Sequence, residues 1–466
     1  MKKGYLIIVR LAFVVCFVTV CACDRHSSSR IPSVLPPSLI VPPQLARAPV
    51  TPAAADCRLF PGQTESTEAI FSVGLNERVD PIHAPRPTNE SERLLFRQLY
   101  ETLVRVDCEG HAVPGLAASW RLDGSTKTWV VTLRPNARFS DDTPVTAMDV
   151  VSSWMSPDAG PAIGSELRPD VRRLVRSVIV VDDRTLEIDL QSRRPDAILA
   201  LGHTDLAIAT PSPGSPWPMG TRSARIGRGG TSVITLFNLS GNFSIRFPVA
   251  SGRDSRDLLD QGVDLLVTRD ARTLNYASTL PQFQTTALPW LRTHVLLTPN
   301  RAGAAPSFST DERRALAQDA VRGEARGAEG PFWWESLSDC EVDPPQAPPV
   351  TPSAMPRIVY DSDDSAAREL AERLVGIGKY PRASGLASDA LAQALRRGNE
   401  SAYILSLDRR PLDPCREIDA LMDNAGWIDP RSIVPLVDTR PQAIVRRGRS
   451  RLNTEWDGTI LLELRD

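Results

Sequence analysis

The stretch 138–154, RFSDDTPVTAMDVVSSW, constrains the fold more than any other part of this chain. It reads as the end of a strand, a tight acidic turn and the capped start of a helix. Asp141, Asp142, Thr143 and Pro144 supply the turn, because Asp side chains bond nearby backbone and Pro fixes one dihedral. Thr146 is placed to cap a helix running through Val150 and Trp154. Such a joint belongs to a mixed α/β scaffold. Its Asp pair is explained by local hydrogen bonding rather than by acid/base chemistry.

The flanking segments fit the same architecture. AIFSVGL at 69–75 has strand composition. In NESERLLFRQLYETLVRVD, Leu95, Leu99 and Leu103 recur every four residues and Asn89 and Glu92 have capping-box spacing, which predicts an amphipathic helix of about four turns. SWRLDGSTKTWVVTLRP predicts a hairpin around Asp123-Gly124, and VIVVDDRTLEIDL at 178–190 carries a second Asp-Asp turn. DSRDLLDQGVDLLV reads as helix, Gly262 stop and strand. Ser309 and Glu312 form another capping-box pair, and DSAARELAERLVGIG is a glycine-stopped amphipathic helix. Strands and helices in both halves argue for at least two lobes.

The first 22 residues are of a different kind. Lys2, Lys3 and Arg10 precede the apolar run Leu11–Val20, which ends in small residues before Cys23, so residues 1–22 read as an export signal. That run is too short to span a bilayer comfortably. Val20-Cys21-Ala22-Cys23 resembles a bacterial lipobox, in which Cys23 is lipidated; an ordinary cleaved signal is the alternative. Asp24 then implies retention at the outer face of the inner membrane, on the periplasmic side. Residues 23–56 are rich in Pro and Ser and read as a semi-rigid tether.

Without residues 1–22, 51 of the 54 Lys+Arg remain against 56 Asp+Glu, a net charge of −5 that leaves no footprint for nucleic acid. The RRGRSR cluster at 446–451 reads as a solvated surface segment that could also meet lipid headgroups or a partner. Cys57, Cys108, Cys340 and Cys415 permit two disulfides in three connectivities, and proximity favours Cys57 with Cys108 and Cys340 with Cys415. None has zinc or redox spacing. His26, His83, His111, His203 and His294 are scattered, no catalytic signature appears, and neither a metal nor a cofactor is expected.

YETLVRVD, VPGLAASW, TWVVTLRPNARFSDDTPVTAMDVVSS and VDDRTLEIDL occur in an order and spacing that resemble the family 5 extracellular solute-binding proteins, which serve peptide, oligopeptide and nickel importers. Pro114, Leu116, Ser119, Trp120, Arg134, Phe139, Asp141, Pro144, Asp149 and Val150 carry the resemblance. Asp142 stands where the family has glycine, a position an Asp can fill in a left-handed conformation. Arg222-Ser223-Ala224 replaces the family's Gly-Pro-aromatic.

The resemblance implies an α/β, two-lobed clamp of the periplasmic-binding-protein type (type II, cluster C), monomeric, with an extra subdomain at about 75–180. It places the first lobe at 57–299, a shortened second lobe at 300–428 and a return to the first at 429–466. It implies an ABC-type importer's binding component, with permease and ATPase as partners and no catalytic residue. The matching ligand motif is YILSLDRRPLDPC, which nominates Asp408, Tyr403 and Asp413 for the ligand. The alternative is a diverged, non-transporting lipoprotein used for sensing or partner binding.

Overall fold

Alternating burial along four strands builds the first sheet. Ala117–Leu122, Trp129–Leu133, Thr185–Leu190 and Val175–Asp182 pair antiparallel in that order, and Val131, Leu133, Leu186 and Ile188 turn inward with no exposed surface. The helix Ala147–Trp154 closes over this face with Val150 and Trp154 buried. Burial of a side chain as large as Trp154 contributes about 3 kcal/mol, and its indole Nε1 donates to the Leu206 carbonyl at 3.1 Å. The molecule is a computed structural model that describes residues 57–60, 69–155, 166–194, 196–227, 230, 232–250, 252, 254–299, 308–318, 325–327, 357–408, 421, 425–429, 433–449 and 452–462.

The opening joint forms as its sequence predicts. Asp141 Oδ1 accepts from Thr143 N at 3.0 Å and Asp142 has φ of +76°, the left-handed region. Thr146 and Asp149 make a reciprocal capping box. Asp182 likewise turns the hairpin at 182–185 by accepting from Arg184 N at 2.8 Å.

The helix predicted through Leu103 stops at Phe96, spanning Glu90–Phe96. Asn89 caps it, but Glu92 turns instead to Thr88 N, Asp80 N and the His83 ring. Beyond Phe96 the carbonyls find tertiary partners: Leu99 O accepts from Arg222 N, Glu101 O from Ile208 N, Thr102 O from Leu116 N and Leu103 O from Ala117 N. Two glycines permit this approach. A Cβ on Gly220 would lie 2.1 Å from Leu99 O and one on Gly115 2.5 Å from Thr102 O.

Two of the other sheets frame the site. Val73–Gly74, Leu265–Thr268, Gln442–Arg446 and Phe283–Ala287 form one, with only the first pair parallel. The other orders Ala325–Arg326, Ile433–Thr439, Arg292–Leu297, Ala402–Asp408, Ile358–Asp361 and Ala383–Leu386. Arg292–Leu297 and Ile433–Thr439 pair with each other inside this six-stranded sheet. The connections between these two sheets therefore run through 288–291 and 440–441. The core beneath the antiparallel four-stranded sheet draws on residues from Leu103 to Ile208.

Cys57 and Cys108 are bridged. Cys340 and Cys415 lie outside the described residues, as do 1–56. The basic cluster is engaged at its start: Arg446 and Arg449 approach Asp264 Oδ1 at 3.3 and 3.2 Å, and Arg449 stacks over Phe71. Among the described residues no helix is long and apolar enough to cross a membrane.

Candidate functional site

Strand ends determine where a site can form in a sheet with parallel strands: the carboxyl edge is where turns enter helices and side chains converge. Leu265–Thr268 runs into Arg269, the cap Asp270 and the helix Ala271–Ala277; Ile358–Asp361 runs into the cap Asp364 and the helix Ser365–Gly376. These two strand-to-helix turns, one from each lobe, meet beside the crossings. Between them lies a cavity of about 30 Å³ lined by Arg269, Ser365, Glu369, Arg373, Thr439 and Arg440 among others. That volume admits water, not a peptide.

The crossings brace each other. Leu288 N donates to Pro441 O at 3.0 Å and Leu291 N to Thr439 O at 3.1 Å. Trp290 is sandwiched between Arg440 and Arg326, whose guanidinium carbons lie 4.3 and 4.6 Å from the ring centroid. Arg326 in turn donates to the buried Asp438. A short double connection of this kind is a hinge geometry, in which a few element-terminal residues absorb the motion of two lobes.

Charge is concentrated around it. Glu90, the first residue of the helix Glu90–Phe96, accepts from Arg292 Nη2 at 2.9 Å and lies 3.5 Å from Arg269 Nη2, so one carboxylate spans both lobes. His294 is wholly buried on the strand Arg292–Leu297, with Nε2 3.1 Å from Asp364 Oδ2. Burial alone would push the Asp364 carboxyl up; the His294 charge and hydrogen bond, with Ala367 N–H and Arg292, hold it well below the usual carboxylate range. Glu369 is pushed up by burial, opposed by Arg373 and Arg368.

The residues nominated from sequence fare differently. Tyr403 belongs to the core: it is 0% exposed, its hydroxyl donates to Ala394 O at 2.9 Å and accepts from Glu400 N at 3.1 Å, and it packs on Trp427. Both hydroxyl valences are satisfied internally, so the ring has no surface for a ligand. The backbone of Asp408 ends the strand Ala402–Asp408 opposite Arg292, at the same carboxyl edge as Asp361. Asp413 lies outside the described residues. Sequence reading did not find Glu90, Arg269, Arg292, His294, Asp364 or Arg440. The signal that marks two of them is the repeated pattern of an aliphatic strand running into an Asp-capped helix, LLVTRDA and IVYDSDDS.

His83, His111 and His203 pair with local carboxylates. Among the described residues no group of three or more His, Cys, Asp or Glu is arranged to hold a metal ion.

Residues 111–230 match the model for bacterial extracellular solute-binding proteins, family 5 middle. The periplasmic oligopeptide-binding protein OppA of Escherichia coli is 34% identical over 119 residues, covering 22% of each chain. OppA of Salmonella typhimurium is 48% identical over 63 residues, 14% of this chain and 11% of that protein. The matched stretches thus span less than a quarter of these relatives. In three dimensions the likeness is broader. The Escherichia coli murein tripeptide binding protein MppA superimposes at TM-score 0.56 with 14% identity, over 86% of this chain and 99% of that one. NikA of Staphylococcus aureus in complex with Ni(L-His)2 gives 0.57 with 14% identity, over 85% and 99%. The matched family is one of binding proteins, not enzymes. Residues 111–230 therefore resemble the middle segment of the family 5 extracellular solute-binding proteins, in a chain with the mixed α/β fold of the cluster C periplasmic binding proteins.

Proposed function

We propose that this chain is the substrate-binding component of an ABC-type importer, which captures a peptide or another small polar solute between its lobes and hands it to a membrane permease powered by an ATPase. The observation that carries this reading is the paired crossing at 288–291 and 440–441 beside a cavity lined from both lobes. Closure about such a hinge excludes water from a ligand. Asp408 and Asp413 are the candidate partners for a ligand amine; the carboxyl-edge position of Asp408 supports this for its backbone.

In the same reading residues 1–22 are removed, Cys23 is lipidated at the periplasmic face of the inner membrane, and residues 24–56 act as tether to a monomeric body. Metabolic labelling with a fatty acid, compared between wild type and Cys23→Ser, tests the anchor.

A thermal-shift screen with di- to pentapeptides, amino acids, sugars and nickel tests the binding. A ligand that binds only the folded state at 100 times its Kd adds about 2.7 kcal/mol of stability. The small cavity favours a second reading, a non-transporting lipoprotein that uses the scaffold for sensing or partner binding. No melting shift with any of these ligand classes selects the second reading over the first.

A further inference from the structure

We infer that the turn Arg446–Arg449, with Phe71 beside it, is a docking surface for an anionic lipid bilayer. The inference goes beyond solute capture and rests on the proposed anchor only for placing a bilayer nearby. The turn is tight: Arg449 N donates to Arg446 O at 3.2 Å, and Gly448 has φ of +86°, a conformation that favours glycine. Arg446, Arg447 and Arg449 are thereby gathered on one reversal of the chain. Arg449 lies over the ring of Phe71, its guanidinium carbon 5.4 Å from the centroid, and Phe243 packs on the same ring at 5.4 Å. Phe71 is nonetheless 46% exposed, and Leu239, in the turn that leads into Phe243, is 40% exposed. Exposed apolar side chains beside arginines suit a bilayer surface, where the apolar groups enter the headgroup boundary and the cations meet lipid phosphates.

Charge selects this occupant. Segments 69–75, 221–253 and 442–454, which supply Phe71, Phe243 and the turn, contain no Asp or Glu. Among the described residues Asp264 is the acid at the turn, its Oδ1 3.3 Å from Arg446 and 3.2 Å from Arg449. Its other oxygen accepts from Phe71 N at 2.9 Å and Ser72 N at 3.1 Å. One buried carboxylate thus serves two guanidinium groups. Arg447 is exposed, and its Nε donates to a neutral group, Pro281 O, at 2.9 Å. Asp254 and Asp260, before and within the neighbouring helix Arg256–Asp260, are engaged by Arg256 and by the Tyr276 hydroxyl. The chain from residues 1–56, which carries the apolar run Leu11–Val20, joins the body beside the turn, where Arg58 bridges Asn453 and Thr454 N donates to Cys57 O at 2.8 Å.

Co-sedimentation of the purified full chain with vesicles of phosphatidylcholine alone, or of equal parts phosphatidylcholine and phosphatidylglycerol, tests the inference. Neutral vesicles report what the N-terminal region contributes through apolar residues or an acyl chain, and the ratio of the two partition coefficients reports the charged surface. That ratio is expected to be about tenfold at low salt and to shrink as salt is raised. Arg447→Gln should lower it about fivefold, and Phe71→Ser should also weaken binding to the anionic vesicles. Two variants are used because Phe71 also packs on Phe243; an Arg447→Gln melting temperature close to wild type separates docking from folding. Arg396→Gln, exposed on the helix Ser388–Arg397, controls for overall charge and should leave the ratio unchanged. No preference for phosphatidylglycerol, a preference that Arg447→Gln leaves intact, or an equal loss with Arg396→Gln each overturns the docking surface. Lipidation of Cys23 and solute binding are read separately, by the labelling and the thermal-shift screen, and stand whichever way the vesicles decide.

Discussion

Glu455 holds Arg97 by both forks, accepting from Nε at 2.7 Å and from Nη2 at 2.9 Å, with each side chain about 5% exposed or less. Arg105 Nε reaches the same carboxylate at 2.9 Å. The pair fastens the C-terminal hairpin, Leu452–Thr454 with Ile460–Leu462, to the end of the helix Glu90–Phe96. Removing one member of such a pair leaves the other charge buried without compensation, which costs about 3–5 kcal/mol. Glu455→Gln should therefore lower the unfolding free energy by that order in urea titration. An effect below about 1 kcal/mol would show that the pair is solvated in solution.

Gly220 is predicted to be intolerant for a steric reason. A Cβ there would lie 2.1 Å from the Leu99 carbonyl oxygen, a backbone atom that itself accepts from Arg222 N. Gly220→Ala should destabilise by about 1–3 kcal/mol, as overpacking does. Gly124, with nothing within 4 Å of an added Cβ, is the matched control. Its change to Ala should stay within about 0.5 kcal/mol in the same melt.

These two sites show what could be read from the sequence and what could not. Local chemistry was legible: the Asp141 turn, the Thr146–Asp149 box, the Ser309–Glu312 box and the Gly262 stop are each encoded within a few residues. The truncated helix was not, because the partners of Leu99 and Thr102 lie about a hundred residues and about a dozen residues away, at Arg222 and Leu116. Periodicity in 89–103 reports burial, and Leu99 and Leu103 are indeed buried, but outside a helix. The burial of Tyr403 was not legible for a related reason: an aromatic beside acidic residues looks the same in sequence whether its hydroxyl meets a ligand or, as here, Ala394 O. The cleft cations escaped because Arg269, Arg373 and Arg440 converge only through topology.

Asp142 offers a gain rather than a loss. Its φ of +76° is one that L residues other than Asn and Asp seldom adopt, and its contact with Arg138, 3.5 Å on an exposed surface, contributes little. Asp142→Gly should raise stability by up to about 1 kcal/mol, and Asp142→Val should lower it by about 1–2 kcal/mol. Denaturant midpoints of the three proteins should rank in that order.

Asp364 makes stability depend on pH with a defined sign. Burial would raise its carboxyl, but His294, the Ala367 N–H and Arg292 depress it well below the unfolded value. A depressed carboxylate contributes stability that is present above its unfolded pKa, about 4, and is lost as pH falls toward the folded one. Wild type should therefore lose stability progressively as pH is lowered from about 5. Asp364→Asn keeps a capping oxygen but removes the charge, and should cost about 1–3 kcal/mol at pH 7. The difference between the two proteins should narrow on acidification, which melts at pH 7, 5 and 3.5 would reveal. A constant difference would assign the effect to packing.

The Cys57–Cys108 bridge closes a loop with sequence separation 51 and ties down the segment that enters the body from residues 1–56. Leu59 N donates to Leu452 O and Thr454 N to Cys57 O, both at 2.8 Å, so the segment 57–59 also joins the C-terminal hairpin through an isolated bridge at Arg58 and Asn453. Restricting the unfolded chain by a loop of that length corresponds to about 4 kcal/mol in the chain-entropy account. The double substitution of Cys57 and Cys108 by Ser should lose about 2–4 kcal/mol of stability. Since the cavity is lined from Arg269 onward and none of its lining residues belongs to this segment, the same variant should keep its ligand affinity at temperatures well below its melt. Melting curves and titrations on the one variant distinguish a stabilising clasp from a part of the binding site.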